Sequence, residues 1–265
     1  MKRLLATDMD GTVIPLRAVK RYRSAIAAFS RLAARDDLVL AYITGRHLEL
    51  AQAGIAEHGL PLPRVLVGDV GTAVYWREGG SWRLDEEYQA RLHAAWQGMH
   101  GSELGRLLCA VDGLVPQEQE RQQRFKRSYY LDRGRDPEEY ALRVTALLSG
   151  RGIAASVITS YDPVGGVHLL DVLPPAAAKD MALRYLAERL GIPLAEVIYA
   201  GDSGNDLAAF ASGCRAIVVG NVDDPTLAAV ERLRAAKGWG PRLYLARGRY
   251  TAGVMEGCRH FGLGR

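Results

Sequence analysis

The stretch Leu4-Leu5-Ala6-Thr7-Asp8-Met9-Asp10-Gly11-Thr12 sets two carboxylates two residues apart at the end of a short apolar run. Such a run reads as a buried parallel strand. In an open α/β sheet the ligand crevice lies beyond the carboxyl ends of the strands. Two acids placed there are costly unless a cation or a reaction uses them. These nine residues therefore predict both a parallel sheet and a polar site at its edge.

The following residues extend that pattern. Leu38–Ile43 and Val65–Val67 read as further strands. Ala18–Ala34, with Val19, Tyr22, Ile26, Phe29, Leu32 and Ala33 at helical spacing, and Leu48–Glu57 read as helices. Alternation of this kind implies βαβ units. Trp76 and Trp82 flank Gly79-Gly80, which predicts a hairpin with cross-strand aromatic packing. From about Trp82 to Pro163 the pattern changes to a helix (Glu86–Gln97), a strand near Arg124–Leu131, a helix (Pro137–Leu148) and a strand near Ala155–Thr159. After His168–Leu173 the first pattern resumes with helix Lys179–Leu190, strand Val197–Ala200, helix Asp206–Ala211, strand Ala216–Val219 and helix Pro225–Lys237. The expected fold is α/β: a Rossmann-like, doubly wound parallel-sheet core from residues 1–82 and 164–265, with an inserted α+β cap domain at 83–163.

Composition narrows the classes. The 265 residues are 48% hydrophobic and 24% charged, as in soluble globular proteins. No apolar stretch approaches the ~20 residues of a membrane helix, which excludes an ion-pumping ATPase. The apolar start is broken by Asp8 and Asp10 too early for a signal peptide, so a cytoplasmic location without a membrane partner is expected. Cys109, Cys214 and Cys258 form no CxxC pair, which fits reduced, mostly buried thiols. The net charge of +4 is spread along the chain, which argues against nucleic acid. The densest basic cluster, Arg121, Arg124, Lys126 and Arg127 followed by Arg133 and Arg135, is either a solvated face or an anion-binding one. A monomer or weak homo-oligomer is expected.

Four element ends carry unusual polar residues: Asp8 and Asp10, Thr44-Gly45-Arg46, Lys179, and Gly201-Asp202-Ser203-Gly204-Asn205-Asp206. Each has a plain reading alone, as a turn, a helix cap or a solvated first-turn lysine. All four fall at one edge of one sheet, and that joint placement points to chemistry. Asp8, Asp10 and Asp202 are hard oxygen donors suited to Mg2+, which favours carboxylates, water and a phosphate. A carboxylate can attack phosphorus if a metal and a lysine offset its repulsion from the phosphate. A second carboxylate can serve the leaving group as general acid. Thr44 offers a hydroxyl to a phosphoryl oxygen, and Gly11 permits close backbone approach.

In kind and order, Asp8-Met9-Asp10-Gly11-Thr12, Thr44, Lys179 and Gly201–Asp206 resemble the four motifs of the haloacid dehalogenase (HAD) superfamily of phosphohydrolases. The resemblance implies that Asp8 is the nucleophile forming an aspartyl-phosphate and Asp10 the general acid and then base. Thr44 and Lys179 would hold the phosphoryl group. Mg2+ would sit on Asp8, the Asp10 carbonyl and Asp202, with Asp206 in the same metal site or, with Asn205, orienting Lys179. Gly11, Thr12, Gly45, Arg46 and Asn205 would line the substrate. The long insertion between Arg46 and Lys179 resembles the C2-type caps of this superfamily, which choose the substrate.

A narrower resemblance, to sucrose-phosphate phosphatases and related sugar phosphatases, rests on several further segments. These are Gly71-Thr72, Lys126-Arg127-Ser128-Tyr129-Tyr130, Asp171-Val172-Leu173-Pro174, Val219-Gly220-Asn221 and the tail Ala252–Phe261. It implies a phosphorylated sugar as the small-molecule partner. Three positions depart from that pattern: Ala73 and Leu169, where an acid is usual, and Asp180, where glycine follows the lysine. Sucrose 6-phosphate, mannosylfructose phosphate, glucosylglycerol phosphate and monosaccharide phosphates all stay open as substrates. Lys126 and Ser128 either reach the sugar or form one face of an exposed strand. His168, beside Gly165-Gly166, contacts the substrate or is a surface histidine. Asn221 helps hold the site or shapes a turn, while His260 and Phe261 pack the tail helix. Two other functions compete: a phosphosugar mutase with the same aspartates, and a catalytically silent sugar-phosphate or nucleic-acid binding protein.

Overall fold

The computed structural model describes residues 2–17, 22–132, 134–162, 165–175 and 177–264. Ala18 and Val19 of the first expected helix, Arg133 of the basic cluster, and Pro163 and Val164 at the expected domain boundary lie outside them. The chain divides into two compact units, 1–85 with 178–265, and 86–177.

The first unit begins β1 (Arg3–Thr7), α1 (Tyr22–Ala33), β2 (Leu38–Ile43), α2 (Leu48–His58), β3 (Val65–Gly68), β4 (Ala73–Glu78) and β5 (Ser81–Leu84). The second unit holds α3 (Glu86–Ala95), α4 (Gly101–Leu108), β6 (Leu114–Pro116), β7 (Arg127–Leu131), α5 (Pro137–Ser149), β8 (Ser156–Asp162) and β9 (Val167–Leu173). The first unit then resumes with α6 (Lys179–Leu190), β10 (Ile198–Gly201), α7 (Leu207–Phe210), β11 (Arg215–Val218), α8 (Asp224–Ala236), β12 (Leu243–Leu245) and α9 (Tyr250–His260).

Among the described residues the first unit carries an eight-stranded sheet in the order β12-β11-β10-β1-β2-β3-β4-β5. β12 through β3 run parallel, and β4 and β5 add an antiparallel edge. The central strands are buried apolar runs, most completely Leu38–Ile43, as expected where helices cover a parallel sheet. From β1 the chain winds one way to β2 and β3, and after the insertion it winds the other way through β10 and β11. The switch point thus falls between β1 and β10, where a doubly wound sheet opens its ligand crevice. Leu5, Leu40, Tyr42, Ile198 and Ile217 join Phe29, Ile55 and Val254 from α1, α2 and α9 in one apolar cluster. No helix of the described residues is long and apolar enough to cross a membrane.

The Gly79-Gly80 loop closes the β4–β5 hairpin with both φ angles positive, a conformation that favours glycine. Its two-residue length sets the pairing Glu78–Ser81, Arg77–Trp82 and Trp76–Arg83. Neighbouring residues on a strand face opposite ways, so Trp76 and Trp82 lie on opposite faces and the expected cross-strand aromatic pair does not form. Instead, the Trp76 indole and the Tyr185 hydroxyl of α6 donate to buried Asp85, at 2.6 and 2.7 Å.

The second unit has a four-stranded antiparallel sheet, β6-β7-β9-β8, among the described residues. Tyr129, Leu131, Leu170 and Val172 share one face and are buried, with α4 against β7 and α5 against β8 and β9. The opposite face carries Ser128, Tyr130, Leu169 and Asp171, and Ser128 Oγ donates to Asp171 Oδ1 at 2.5 Å.

This sheet corrects the expected boundary. Residues 168–173 belong to β9, which pairs along its whole length with β8. An antiparallel hairpin cannot be divided between two cores, so the second unit extends to Ala177 rather than to Pro163. At the other end β5 and the Asp85 hydrogen bonds to Trp76 and Tyr185 keep residues 83–85 in the first unit. Helix α4, of 8 residues, and strands β6 and β12, of 3 residues each, are too short to stand out in the sequence.

Candidate active site

β1 ends in the crevice and delivers Asp8. The Asp8 amide donates to the Ala200 carbonyl at 2.9 Å, continuing the β1–β10 ladder one residue further. Its side chain is buried, and Asp8 Oδ1 accepts the Met9 amide at 2.7 Å. Asp8 Oδ2 lies 2.8 Å from Nζ of Lys179, the first residue of α6.

Lys179 is 2% exposed. Besides Asp8, its ammonium donates to Asp206 Oδ1 at 2.7 Å and to Asn205 Oδ1 at 2.9 Å. Three donors thus meet three acceptors, which makes a buried ammonium tolerable. Asp206 is fully buried; it also accepts the Tyr199 hydroxyl at 2.5 Å and the amides of Asp202 and Ser203 at 3.0 and 3.1 Å. A Cβ on Gly201 would meet the Asp206 carboxyl group at 2.5 Å, so the glycine makes room for this anchor.

Asp202 leaves β10 beside them. Its Oδ1 accepts from Thr12 Oγ1 at 2.8 Å and its Oδ2 from Asn221 Nδ2 at 3.3 Å. Gly11, at φ +76°, passes so close that a Cβ there would lie 2.1 Å from Asp202 Oδ2. Oxygens of Asp8, Asp202 and Asp206 lie within 4.8 Å of one another.

Three buried carboxylates face one buried ammonium, and the titration follows from that excess. Burial pushes the Asp8 carboxyl up to about 8, helped by the charges of Asp206 and Asp202 and opposed by Lys179. Burial likewise raises Asp202 to about 6 against the Thr12 hydrogen bond. Burial opposes the charge on Lys179, yet Asp206 and Asp8 hold its ammonium above the ordinary lysine range. A divalent cation on these oxygens would balance the excess negative charge, and an all-carboxylate donor set suits a hard cation such as Mg2+.

The remaining expected residues divide between the two units. Thr44 follows β2 and is buried at the same sheet edge; its hydroxyl accepts the Arg46 amide at 3.2 Å. Arg46 grips the Asp10 carboxylate with two 2.7 Å bonds, one to each oxygen, and donates a third to the Leu50 carbonyl. Asp10 therefore stands apart from the buried cluster, with its side chain 40% exposed. Gly45 keeps open space around it, with only Val70 near. Lys126 and Ser128 sit in the second unit, and both are buried rather than on an exposed strand face, whereas Arg121 and Arg124 are solvated. His168 packs against Tyr161, its cross-strand partner, with ring centroids 5.1 Å apart.

No motif in the sequence marks Tyr199, and Asn221 fits a turn as well as a site residue. A tyrosine inside a buried strand must find a partner for its hydroxyl, and that was the available signal for Tyr199.

Comparison with known proteins decides the family. The profile of sucrose-6F-phosphate phosphohydrolase matches residues 1–262. The chain belongs to this family. It is thus a phosphoric monoester hydrolase of the HAD superfamily. It is 38% identical to a HAD-like hydrolase of Nitrosococcus oceani, over 98% of this chain and 72% of that protein. It is 32% identical to the mannosylfructose-phosphate phosphatase of Agrobacterium fabrum, over 98% and 97% of the two chains. The solved sucrose-phosphatase from Synechocystis, in complex with sucrose and phosphate, superposes with a TM-score of 0.77 at 28% identity, covering 98% of each chain.

Proposed function

We propose that the protein hydrolyses a mono- or disaccharide phosphate through an aspartyl-phosphate on Asp8, with Mg2+ as cofactor. The observation that carries this reading is the buried cluster of Asp8, Asp202, Asp206 and Lys179 at the sheet's switch point. A carboxylate pinned by an ammonium and surrounded by hard oxygen donors is suited to attack phosphorus.

Asp8 Oδ attacks the phosphorus and the bond to the sugar oxygen breaks. Asp10 gives its proton to that oxygen as the sugar leaves. The Asp10 carboxylate then takes a proton from water, whose oxygen attacks the acyl phosphate; inorganic phosphate departs and Asp8 is restored. Lys179 and Thr44 hold the phosphoryl oxygens. Asp8, Asp202 and the Asp10 carbonyl are the groups that would hold Mg2+, which when bound neutralises the phosphoryl oxygens. Asp206, expected at the metal from the sequence, has both oxygens occupied by five donors and is better suited to anchoring Lys179. Arg46 engages the anionic substrate, and its departure releases Asp10 for proton transfer.

The relatives' names support a sugar phosphate as substrate. Lys126 and Ser128, with Asp171, form the polar set of the second unit's sheet that would read sugar hydroxyls. Leu169 on that same face lacks the acceptor common at this position, which favours a glycosyl phosphate other than sucrose 6-phosphate.

The test is phosphate release, with and without Mg2+, from sucrose 6-phosphate, mannosylfructose phosphate, glucosylglycerol phosphate and hexose phosphates. Metal-dependent release from one of these is expected. Release from none of a broad panel of phosphomonoesters would overturn the reading, and an isomeric sugar phosphate without free phosphate would identify a mutase.

A further inference from the structure

Asn221, just past β11, joins three segments that are far apart in sequence. Its Nδ2 donates to the Gly11 carbonyl at 2.8 Å and to Asp202 Oδ2 at 3.3 Å, and its Oδ1 accepts the Tyr250 amide at 3.0 Å. A peptide N–H can only donate, so Tyr250 fixes the amide's oxygen on its own side. Both side-chain N–H groups are thereby turned toward Gly11 and Asp202.

The anchor behind this arrangement is firm. Tyr250 opens α9 at φ +53°, a left-handed conformation that a bulky residue keeps only when its surroundings hold it there. The next residue, Thr251, donates from Oγ1 to the Val13 carbonyl at 2.9 Å, tying the same helix end to the Asp8–Ile14 loop. On the other side Thr12 holds Asp202 Oδ1. Each oxygen of Asp202 thus has one outside donor, and these two donors fix the orientation of the carboxylate.

We propose that Asn221 is a positioning residue for divalent-cation binding. It holds the Asp202 carboxylate in register with the Gly11 loop, using the start of α9 as its fixed point. The proposal rests on the reading of Asp202 as a cation ligand. A ligand whose orientation is already set loses less freedom on binding, and partners that orient metal ligands govern affinity from outside the coordination shell.

Asn221→Ala should weaken Mn2+ binding to the substrate-free protein, followed by the EPR signal of free Mn2+, by about 10- to 100-fold. The Mg2+ activation curve should shift to the same extent, with KM for the sugar phosphate unchanged at saturating metal. Thr251→Val breaks the neighbouring tie of α9 without touching Asp202; it should lower Tm and leave the Mn2+ constant unchanged. An Asn221→Ala protein that binds Mn2+ like wild type, or a Thr251→Val protein that loses affinity equally, would show Asn221 to be merely structural. If Asn221→Ala does not fold, 15N-labelled wild-type protein carries the test. The Asn221 side-chain amide resonances should move on adding Mg2+, and unmoved resonances overturn the assignment. Wild-type protein that binds no Mn2+ would instead overturn the cation reading, and the proposal with it.

Discussion

Replacing Lys179 by methionine tests the charge balance of the site. The ammonium lies 2.8 Å from Asp8 and 2.7 Å from Asp206, with almost no solvent contact. Asp206 would keep the Tyr199 hydroxyl and two backbone amides, so the loss falls mainly on Asp8, which keeps only the Met9 amide. Removing one partner of a buried ion pair costs about 3–5 kcal/mol while the other stays charged.

The cost should depend on pH. Asp8 already titrates near 8, far above the ordinary value of 3.8, because burial disfavours its charge. A carboxyl whose value is raised on folding binds more protons in the folded state, so its stabilising contribution is full below about pH 4 and is lost as pH rises through about 8. Without Lys179, which opposes the rise, Asp8 shifts further up and the loss steepens. Urea unfolding in EDTA should therefore show the variant about 1–2 kcal/mol less stable than wild type near pH 9, where Asp8 escapes the full ion-pair cost by taking a proton, and close to wild type near pH 5.5, where Asp8 is already protonated. Turnover should fall by about two to three orders of magnitude or more, as when a charge-stabilising donor is removed from a reacting centre. An equal penalty at both pH values, or none near pH 9, would refute the reasoning.

Other outcomes follow from the same geometry. Asp8→Asn should reduce phosphate release by about three orders of magnitude or more, and it should melt no lower than wild type in EDTA at neutral pH, because one of three crowded carboxylates is gone. Arg46→Ala should raise KM for the sugar phosphate by about tenfold or more, as loss of a charged hydrogen bond predicts. Because the Arg46–Asp10 pair is partly exposed, its loss should cost under ~1 kcal/mol in urea unfolding. Gly11→Ala puts a methyl group onto Asp202 Oδ2 at a positive φ; calorimetry should show a loss of about 1–3 kcal/mol, and an unchanged Tm would contradict the close approach.

Much of the candidate site was legible because its polar groups sit at the ends of strongly patterned elements. An apolar strand run followed by Asp8, and the buried Val197–Ala200 run followed by Asp202, needed only the crevice rule to be placed together. The Arg46–Asp10 pair was not legible. Sequence shows two charged residues after two strands, and only adjacent strand ends bring a guanidinium fork onto a carboxylate. The different surroundings of Asp202 and Asp206 were hidden likewise, since both are acids in one loop and only the fold decides which donors reach each. The domain boundary was misplaced because Val167–Leu173 is an apolar run that fits either a parallel core strand or an antiparallel hairpin, and pairing partners are non-local.

The amino-acid sequence by itself determined the parallel sheet, the presence of an insertion and which polar residues gather at the sheet's edge, because periodicity and local turn chemistry act over a few residues. Tertiary structure decided which carboxylate Lys179 anchors to, which residue grips Asp10, and that Asn221 ties the Gly11 loop to α9. Those are contacts between residues up to 210 positions apart. Their geometry depends on strand order and burial, which no local pattern encodes.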